Sequence, residues 1–242
     1  MTMNLKLQLQ YLFNYFGLDI KSYNLKNNFN FRLKHFLDYK EIDCVIDIGA
    51  NDGQFGKNLR KIGYKGQIIS FEPIVSAYID LEDTSKKDKK WKVFNFALGE
   101  NIEETEINIS QNSLSSSILD MKKEHLNSAP TSRYVKREKI SVKTLDSFKE
   151  EICKNFKNIY IKIDTQGYEE KVLIGAKDLV RQAIGLQLEM SIYPMYESQL
   201  LFNEFFTKIE KLNFELWDIE RTFSNPKSGK ILQIDAIFFK KN

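Results

Sequence analysis

Between residues 43 and 190, five short apolar runs alternate with amphipathic stretches: "CVIDIG", "QIISFEP", "WKVFNFAL", "NIYIKID" and "IGLQLEM". A strand that pairs in parallel with the next needs a long crossover, usually a helix, and such crossovers are right-handed. The alternation therefore predicts an α/β fold, a mostly parallel sheet with helices on both faces. One helix is expected from Gly53, with Phe55, Leu59 and Ile62 on one face, and another after Pro73 to about Lys87. Two more are expected from about Tyr168 to Arg181 and from about Ser198 to Asn213. "ELWDIE", a turn through "NPKSGK" and "ILQIDAIFFK" have the spacing of a hairpin, which adds an antiparallel strand at or near a sheet edge. "ETEINIS" reads as a short strand, and "KISVKTLDSF" as a strand fragment giving way to a helix. Between them lies a polar, Ser-rich stretch over residues 111–135.

Two amphipathic helices are expected ahead of this pattern, over 4–17 and 29–40. In the first, Leu5, Leu9, Leu12 and Phe13 share a face that should pack on this chain or on a partner subunit. The chain thus divides into an N-terminal helical extension, 1–40, and a domain over 41–242. With 42% hydrophobic and 13% aromatic residues, 242 residues suffice for one packed core. The 36 basic and 33 acidic residues leave a net charge of +3, too balanced to argue for nucleic acid or an anionic membrane. Cys44 and Cys153 are not spaced as metal ligands, and two histidines, His35 and His125, cannot build a His-rich zinc site. The N-terminus lacks a signal-peptide pattern, and no apolar run is long enough to span a bilayer. A cytoplasmic monomer or homodimer without membrane insertion is expected.

Ligands of parallel sheets bind beyond the carboxyl ends of the strands, near the switch point of the strand order. The first such end here is Gly49-Ala50-Asn51-Asp52-Gly53. A dinucleotide fingerprint needs glycines at i, i+2 and i+5. Counted from Gly49 those places hold Asn51 and Gln54, and from Gly53 they hold Phe55 and Asn58. The fingerprint is absent in both registers, and Asp47 adds a negative charge that a pyrophosphate would resist. A ligand with a cationic end, a carboxylate and an adenosine suits the turn better. The cation would face Asp47, the carboxylate the helix N-terminus, and the ribose an acid some 20 residues on. Glu72 stands at that place. S-adenosylmethionine has all of these groups.

The stretches "VIDIGANDGQFGKNLRKIGYKGQIISFEP", "FALGE", "SVKTLDSF", "IKIDTQGYEEKVLIGA", "LQLEMSIYPMYE" and "LQIDAIFF" resemble, in order, the FkbM family of S-adenosylmethionine-dependent methyltransferases. The resemblance spans roughly residues 40–240. It implies a Rossmann-like class I methyltransferase fold with a seven-stranded sheet. It also implies methyl transfer to a hydroxyl, often of a sugar or polyketide-like acceptor. Asp47, Gly49, Asn51 and Gly53 would then line the methionine end, Glu72 the ribose and Ala97 the adenine. Ala50, Phe55, Pro73, Ser116 and Asp164 complete the candidate cofactor-binding set. Ser115, Ser116 and Ser117 are the serines within reach of the adenine.

The fourth and fifth runs carry the candidate chemistry. Period-2 parity puts Tyr160, Lys162 and Asp164 on one face, opposite Ile159, Ile161 and Ile163. Gln187 and Glu189 likewise oppose Leu186, Leu188 and Met190. Unpaired charges buried there would cost several kcal/mol, so they need partners or a ligand. Asp164 and Glu189 are expected to flank the methyl-transfer site, one as the base, with Lys162 balancing their charge. The alternative is a purely structural ion network of the three. A divalent cation between the carboxylates is a further expectation, since oxygen ligands suit magnesium. Gly167 fits a turn with positive φ. Tyr193 and Tyr196 are placed at the mouth, as aromatic walls or as packing. The Ser-rich stretch is a candidate lid, and His125 is an alternative base in a setting that points to the surface. The leading reading is an O-methyltransferase acting on a sugar or other small hydroxylated acceptor, with surface polysaccharide or natural-product modification as its expected setting. A nicotinamide-dependent oxidoreductase and a non-catalytic cofactor-binding protein are the alternatives.

Overall fold

The computed structural model describes residues 5–241. Seven strands form one sheet: β1 (Cys44–Ile48), β2 (Gln67–Phe71), β3 (Trp91–Phe94), β7 (Ile159–Ile163), β8 (Gly185–Ser191), β9 (Phe214–Ser224) and β10 (Ile231–Lys240). Their order is β3-β2-β1-β7-β8-β10-β9. All pairs from β3 to β8 are parallel, and β10 enters antiparallel between β8 and β9. The expected α/β sheet and terminal hairpin are therefore present. The order reverses between β1 and β7, which puts the switch point at their carboxyl ends.

Both faces of the sheet are covered, as the continuous apolar runs require. On one face Ile46, Ile161, Ile163, Leu186 and Leu188 pack with Val172 of α7 (Glu169–Gly175), Leu179 of α8 (Lys177–Gln182) and Ile209 of α9 (Phe202–Lys211). On the other, Val45, Ile68, Tyr160, Ile237 and Phe239 pack with Leu59 of α3 (Gln54–Lys61) and Leu81 of α4 (Val75–Ser85). Leu33 and Leu37 of α2 (Phe29–Tyr39) join this second cluster. Arg32 of α2 also donates to Asp218 Oδ2 of β9 at 2.5 Å. So α2 belongs to the core, whereas α1 (Leu5–Tyr15) does not. The face of α1 expected to pack is open, with Leu5 69%, Leu9 45% and Leu12 54% exposed. Residues 1–4 of the expected extension lie outside the described span.

Two expected elements change shape. "WKVFNFAL" is not one strand: β3 ends at Phe94, and Asn95 Nδ2 donates to the carbonyls of Glu72 and Pro73, both at 3.0 Å. That side chain turns the chain out of the sheet. β4 (Ala97–Leu98) then pairs with β6 (Tyr134–Lys143) in a second sheet of order β4-β6-β5, where β5 is Glu103–Ser110. The helix expected from Tyr168 to Arg181 breaks into α7 and α8, where Gly175 presses so close to Gly99 that a Cβ would lie 1.8 Å from its carbonyl oxygen.

The Ser-rich stretch is packed rather than open. It contains α5 (Lys123–Ser128), and Ser115, Ser116, Ser117 and His125 are all buried. Its hydroxyls pair with one another and with backbone, as Ser115 Oγ does with Ser132 Oγ at 2.9 Å. The remaining helix, α6 (Lys149–Asn155), seats Ile152 in the first core.

Candidate active site

A cavity of about 330 Å³ opens at the carboxyl ends of β1, β2 and β7. Its floor is the turn after β1. The Gly49 and Ala50 N–H groups both donate to the Phe71 carbonyl at 3.1 Å, closing the turn against β2. Gly49 has φ +77°, and a Cβ there would lie 1.9 Å from the Asp164 carbonyl oxygen, so only glycine fits where β1 and β7 end together. Gly53 has φ +87° and starts α3. A Cβ on Gly56 would lie 2.1 Å from the Trp91 ring and one on Gly53 2.9 Å from Leu81 Cδ1, so these glycines serve close packing of α3, and Gly53 does not line the cavity.

Glu72 sits at the end of β2, 4% exposed and on the cavity wall. Its Oε2 accepts the Asn51 N–H at 2.8 Å and its Oε1 the Ile74 N–H at 2.9 Å. Burial pushes its carboxyl up to about 7, against the pull of those two donors. Each oxygen keeps a lone pair for a further donor. Ala50, Asn51, Phe55, Pro73, Ala97 and Ser116 also line the cavity, together with Gln54, Asn58, Ser113 and Leu114.

Asp47 lies elsewhere than expected. It is fully buried beneath the cavity and does not line it. Burial raises its carboxyl above the usual range, and Lys162, 3.4 Å away from Oδ1, works against that. Neither Asp47 oxygen has a hydrogen bond in ordinary geometry among the described residues. Lys162 does reach the cavity. Its Nζ is 3.3 Å from Asp164 Oδ2 and 5.1 Å from the centre of the Phe55 ring. Burial opposes its charge, but Asp164 and Asp47 outweigh that and raise its pKa. So Lys162 pairs directly with Asp164 and Asp47, and acts on Glu189 only from a longer distance.

Asp164 lines the cavity, with 29% of its side chain exposed. Its Oδ1 accepts Gln166 Nε2 at 2.8 Å. The same nitrogen lies 2.6 Å from Glu189 Oε2, which also accepts Gln233 Nε2 at 3.0 Å. Glu189 itself does not line the cavity. Burial, then Asp164, Asp235 and Glu169, push its carboxyl well up, with Lys162 pulling back. The rest of this polar face is satisfied as well: the Tyr160 hydroxyl donates to Gln187 Oε1 at 2.9 Å, and Gln187 Nε2 to Asp235 Oδ2 at 2.8 Å. A divalent cation does not fit between Asp164 and Glu189, because an N–H donor already stands there and an ammonium takes the other Asp164 oxygen. Among the described residues no three His, Cys, Asp or Glu side chains converge as a ligand set.

Several residues here escape sequence reasoning. Glu169, 2% exposed, accepts the N–H groups of Thr165 (2.9 Å) and Gly167 (3.0 Å) and the Thr165 hydroxyl (3.3 Å), all on Oε1. It fixes the turn that carries Asp164, and Gly167 has the expected positive φ, +98°. Tyr196 is no wall at the mouth: it is fully buried, and its hydroxyl donates to Gln166 Oε1 at 2.7 Å. Tyr193 is exposed, with Lys230 Nζ 3.4 Å from its ring centre. His125 is 2% exposed rather than on the surface, packed on Tyr196 and Phe223, and does not line the cavity. Burial lowers its pKa to about 4. Gln166 carries no signal of its role in the sequence, because Glu189 and Tyr196, which its amide meets, lie 23 and 30 residues away.

The family model described as the methyltransferase FkbM domain matches residues 47–216, more than half of the chain. No curated protein compared with the chain matches it. Among solved structures, an rRNA methylase from Streptococcus thermophilus is 8% identical with a TM-score of 0.48, over 93% of this chain and 100% of that one. TehB from Haemophilus influenzae is 9% identical with a TM-score of 0.47, over 87% of this chain and 62% of that one. A precorrin-6y C5,15-methyltransferase from Geobacter metallireducens is 9% identical with a TM-score of 0.44, over 91% and 94%. Likenesses this distant carry no argument about the acceptor.

Proposed function

The chain belongs to the FkbM methyltransferase family, and we propose that within it the protein methylates a hydroxyl of a sugar or another small hydroxylated acceptor. Membership makes it a methyltransferase and implies S-adenosylmethionine as cofactor, which sets the nicotinamide alternative aside.

The cavity fits that cofactor. Gly49 leaves a cradle that a Cβ would fill, and Glu72 offers free lone pairs on both oxygens at the end of β2. In this reading Gly49, Ala50 and Asn51 hold the methionine end, Glu72 the ribose diol, and Pro73, Ala97 and Ser116 the adenine. Phe55 and Lys162 close one side. Asp47 acts from below, through Lys162, rather than by contact. When bound, the cofactor supplies an electrophilic methyl group on a sulfonium, whose leaving group needs no acid.

The protein is left to align the acceptor oxygen and to take its proton. Asp164 is the base in this reading, and the observation that carries it is its place on the wall of the same cavity as Glu72. Lys162 Nζ pairs with its Oδ2 at 3.3 Å. Glu189, off the wall, shapes the electrostatics behind it.

Methyl-labelled cofactor and a panel of mono- and oligosaccharides test the proposal. Label should appear as an alkali-stable ether on a sugar, and Asp164→Asn should lower turnover on the order of 10²-fold or more. Label found only in RNA, or only in an alkali-labile ester, overturns it.

A further inference from the structure

Gln166 occupies an uncommon backbone conformation for a side chain of its size, φ +54°. Four hydrogen bonds hold it. Its carbonyl accepts the Ser117 hydroxyl at 2.7 Å, and its Oε1 accepts the Tyr196 hydroxyl at 2.7 Å. Its Nε2 donates to Asp164 Oδ1 at 2.8 Å and to Glu189 Oε2 at 2.6 Å. A primary amide has two N–H groups, so both are spent, one on each carboxylate. The reverse orientation would set an amide oxygen against two carboxylates, so the network fixes which way the group points. Gln166 and Asp164 line the cavity and Glu189 does not. The planar amide thus spans the two acids, with one acid toward the cavity and the other behind it.

We infer that Gln166 is a positioning residue of the methyl-transfer site: its amide aims the Asp164 carboxylate into the cavity and withholds Glu189, so that one acid alone meets the acceptor. The inference rests on the proposed role of Asp164 as base. A glutamate at this place would crowd three carboxylates together. The setting around Glu189 agrees, because Asp164, Asp235 of β10 and Glu169 of α7 oppose its charge while Lys162 favours it. Tyr196 acts at one remove, by locking the amide.

The test is carbon-13 NMR of the full chain with labelled Asp and Glu carboxyls, the two resonances assigned with Asp164→Asn and Glu189→Gln. Gln166→Leu should move the titrations of both carboxyls by about one pH unit, a tenfold change in proton affinity. Tyr196→Phe, which touches neither carboxylate, should move both in the same sense by a smaller amount. Calorimetry should show S-adenosylhomocysteine affinity in Tyr196→Phe within about threefold of the parent, well under one factor of ten. Titrations of Asp164 and Glu189 that stay put in Gln166→Leu overturn the inference. Should Gln166→Leu not fold, Tyr196→Phe decides alone: movement of both resonances supports positioning through the amide, and none overturns it. Loss of the base role would show separately, as full turnover in Asp164→Asn with the titrations still shifted by Gln166→Leu.

Discussion

Gly49→Ala should damage stability and cofactor binding together. At φ +77° any L side chain is strained, at a cost of roughly 1–2 kcal/mol. The new Cβ would also lie 1.9 Å from the Asp164 carbonyl oxygen. That carbonyl belongs to backbone whose N–H is tied to Ile48 O at 3.0 Å, so it cannot swing aside as a side-chain tip would. It must retreat by roughly 1 Å or more in a close-packed interior, and strain of this kind adds about 1–3 kcal/mol. The expected total is about 2–5 kcal/mol, against a typical domain stability of about 5–15 kcal/mol. Gly229→Ala isolates the first contribution, since Gly229 has φ +72° with nothing within 4 Å of a built Cβ. Urea denaturation of both variants measures the difference, which is the steric part. Calorimetry with S-adenosylhomocysteine should show at least about a tenfold loss for Gly49→Ala, or ~1.4 kcal/mol, and no loss for Gly229→Ala. If Gly49→Ala is no less stable than Gly229→Ala and binds as the parent does, the account of this turn is wrong.

Glu169, buried, has its carboxyl pushed up to about 7 chiefly by that burial. The folded state thus holds a proton the unfolded chain releases at lower pH, so this contribution is full below about pH 4.5 and lost as pH rises through about 7. All its bonds fall on one oxygen, so Glu169→Gln should mimic the protonated form and flatten the fall in stability from pH 5 to 8, by an order of about 3 kcal/mol in denaturation curves. His125 runs the other way: burial lowers its pKa to about 4, so its contribution is full above about 6.5 and lost as pH falls. His125→Phe should remove that loss, which melting at pH 5 and pH 8 would reveal. Deleting residues 1–20 should change stability by less than about 1 kcal/mol. Deleting 1–40 strips the fully buried Leu33 and Leu37 from the core, about 2–3 kcal/mol each, and should leave the protein unfolded or nearly so by circular dichroism.

Much of the sheet and part of the site can be read from periodicity. Two-residue alternation places Lys162, Asp164, Gln187 and Glu189 on one face, and the structure keeps them there. Periodicity gives a face but not a depth, however, which is why Asp47 reads as a cavity residue and lies under the floor instead. It also cannot see partners brought by a distant strand. Gln233 and Asp235 satisfy the polar row because β10 lies antiparallel beside β8, with Asp235 opposite Glu189. The Ser-rich stretch misleads by composition, because small hydroxyls look exposed until they pair with each other. The early end of β3 depends on Asn95 finding two carbonyls far away in sequence. Gln166 is the largest omission, since nothing local says that its amide will find two acids and a tyrosine.

The place of β10 has a consequence for the order in which the molecule can be assembled. It is the last strand among the described residues, yet it lies inside the sheet, paired to β8 on one side and β9 on the other. β8 and β9 have no ladder with each other, so the free edge of β8 stays open and β9 stays unpaired on both edges until residues 231–240 arrive. Long-range pairing of this kind is slow and exposes strand edges to other chains. The same strand delivers Gln233 to Glu189. During synthesis, then, the part of the sheet from β1 to β3 can assemble early, but the carboxylate cluster is completed only with β10. Nascent chains that stop short of it should carry the cavity floor without the bond from Gln233 to Glu189.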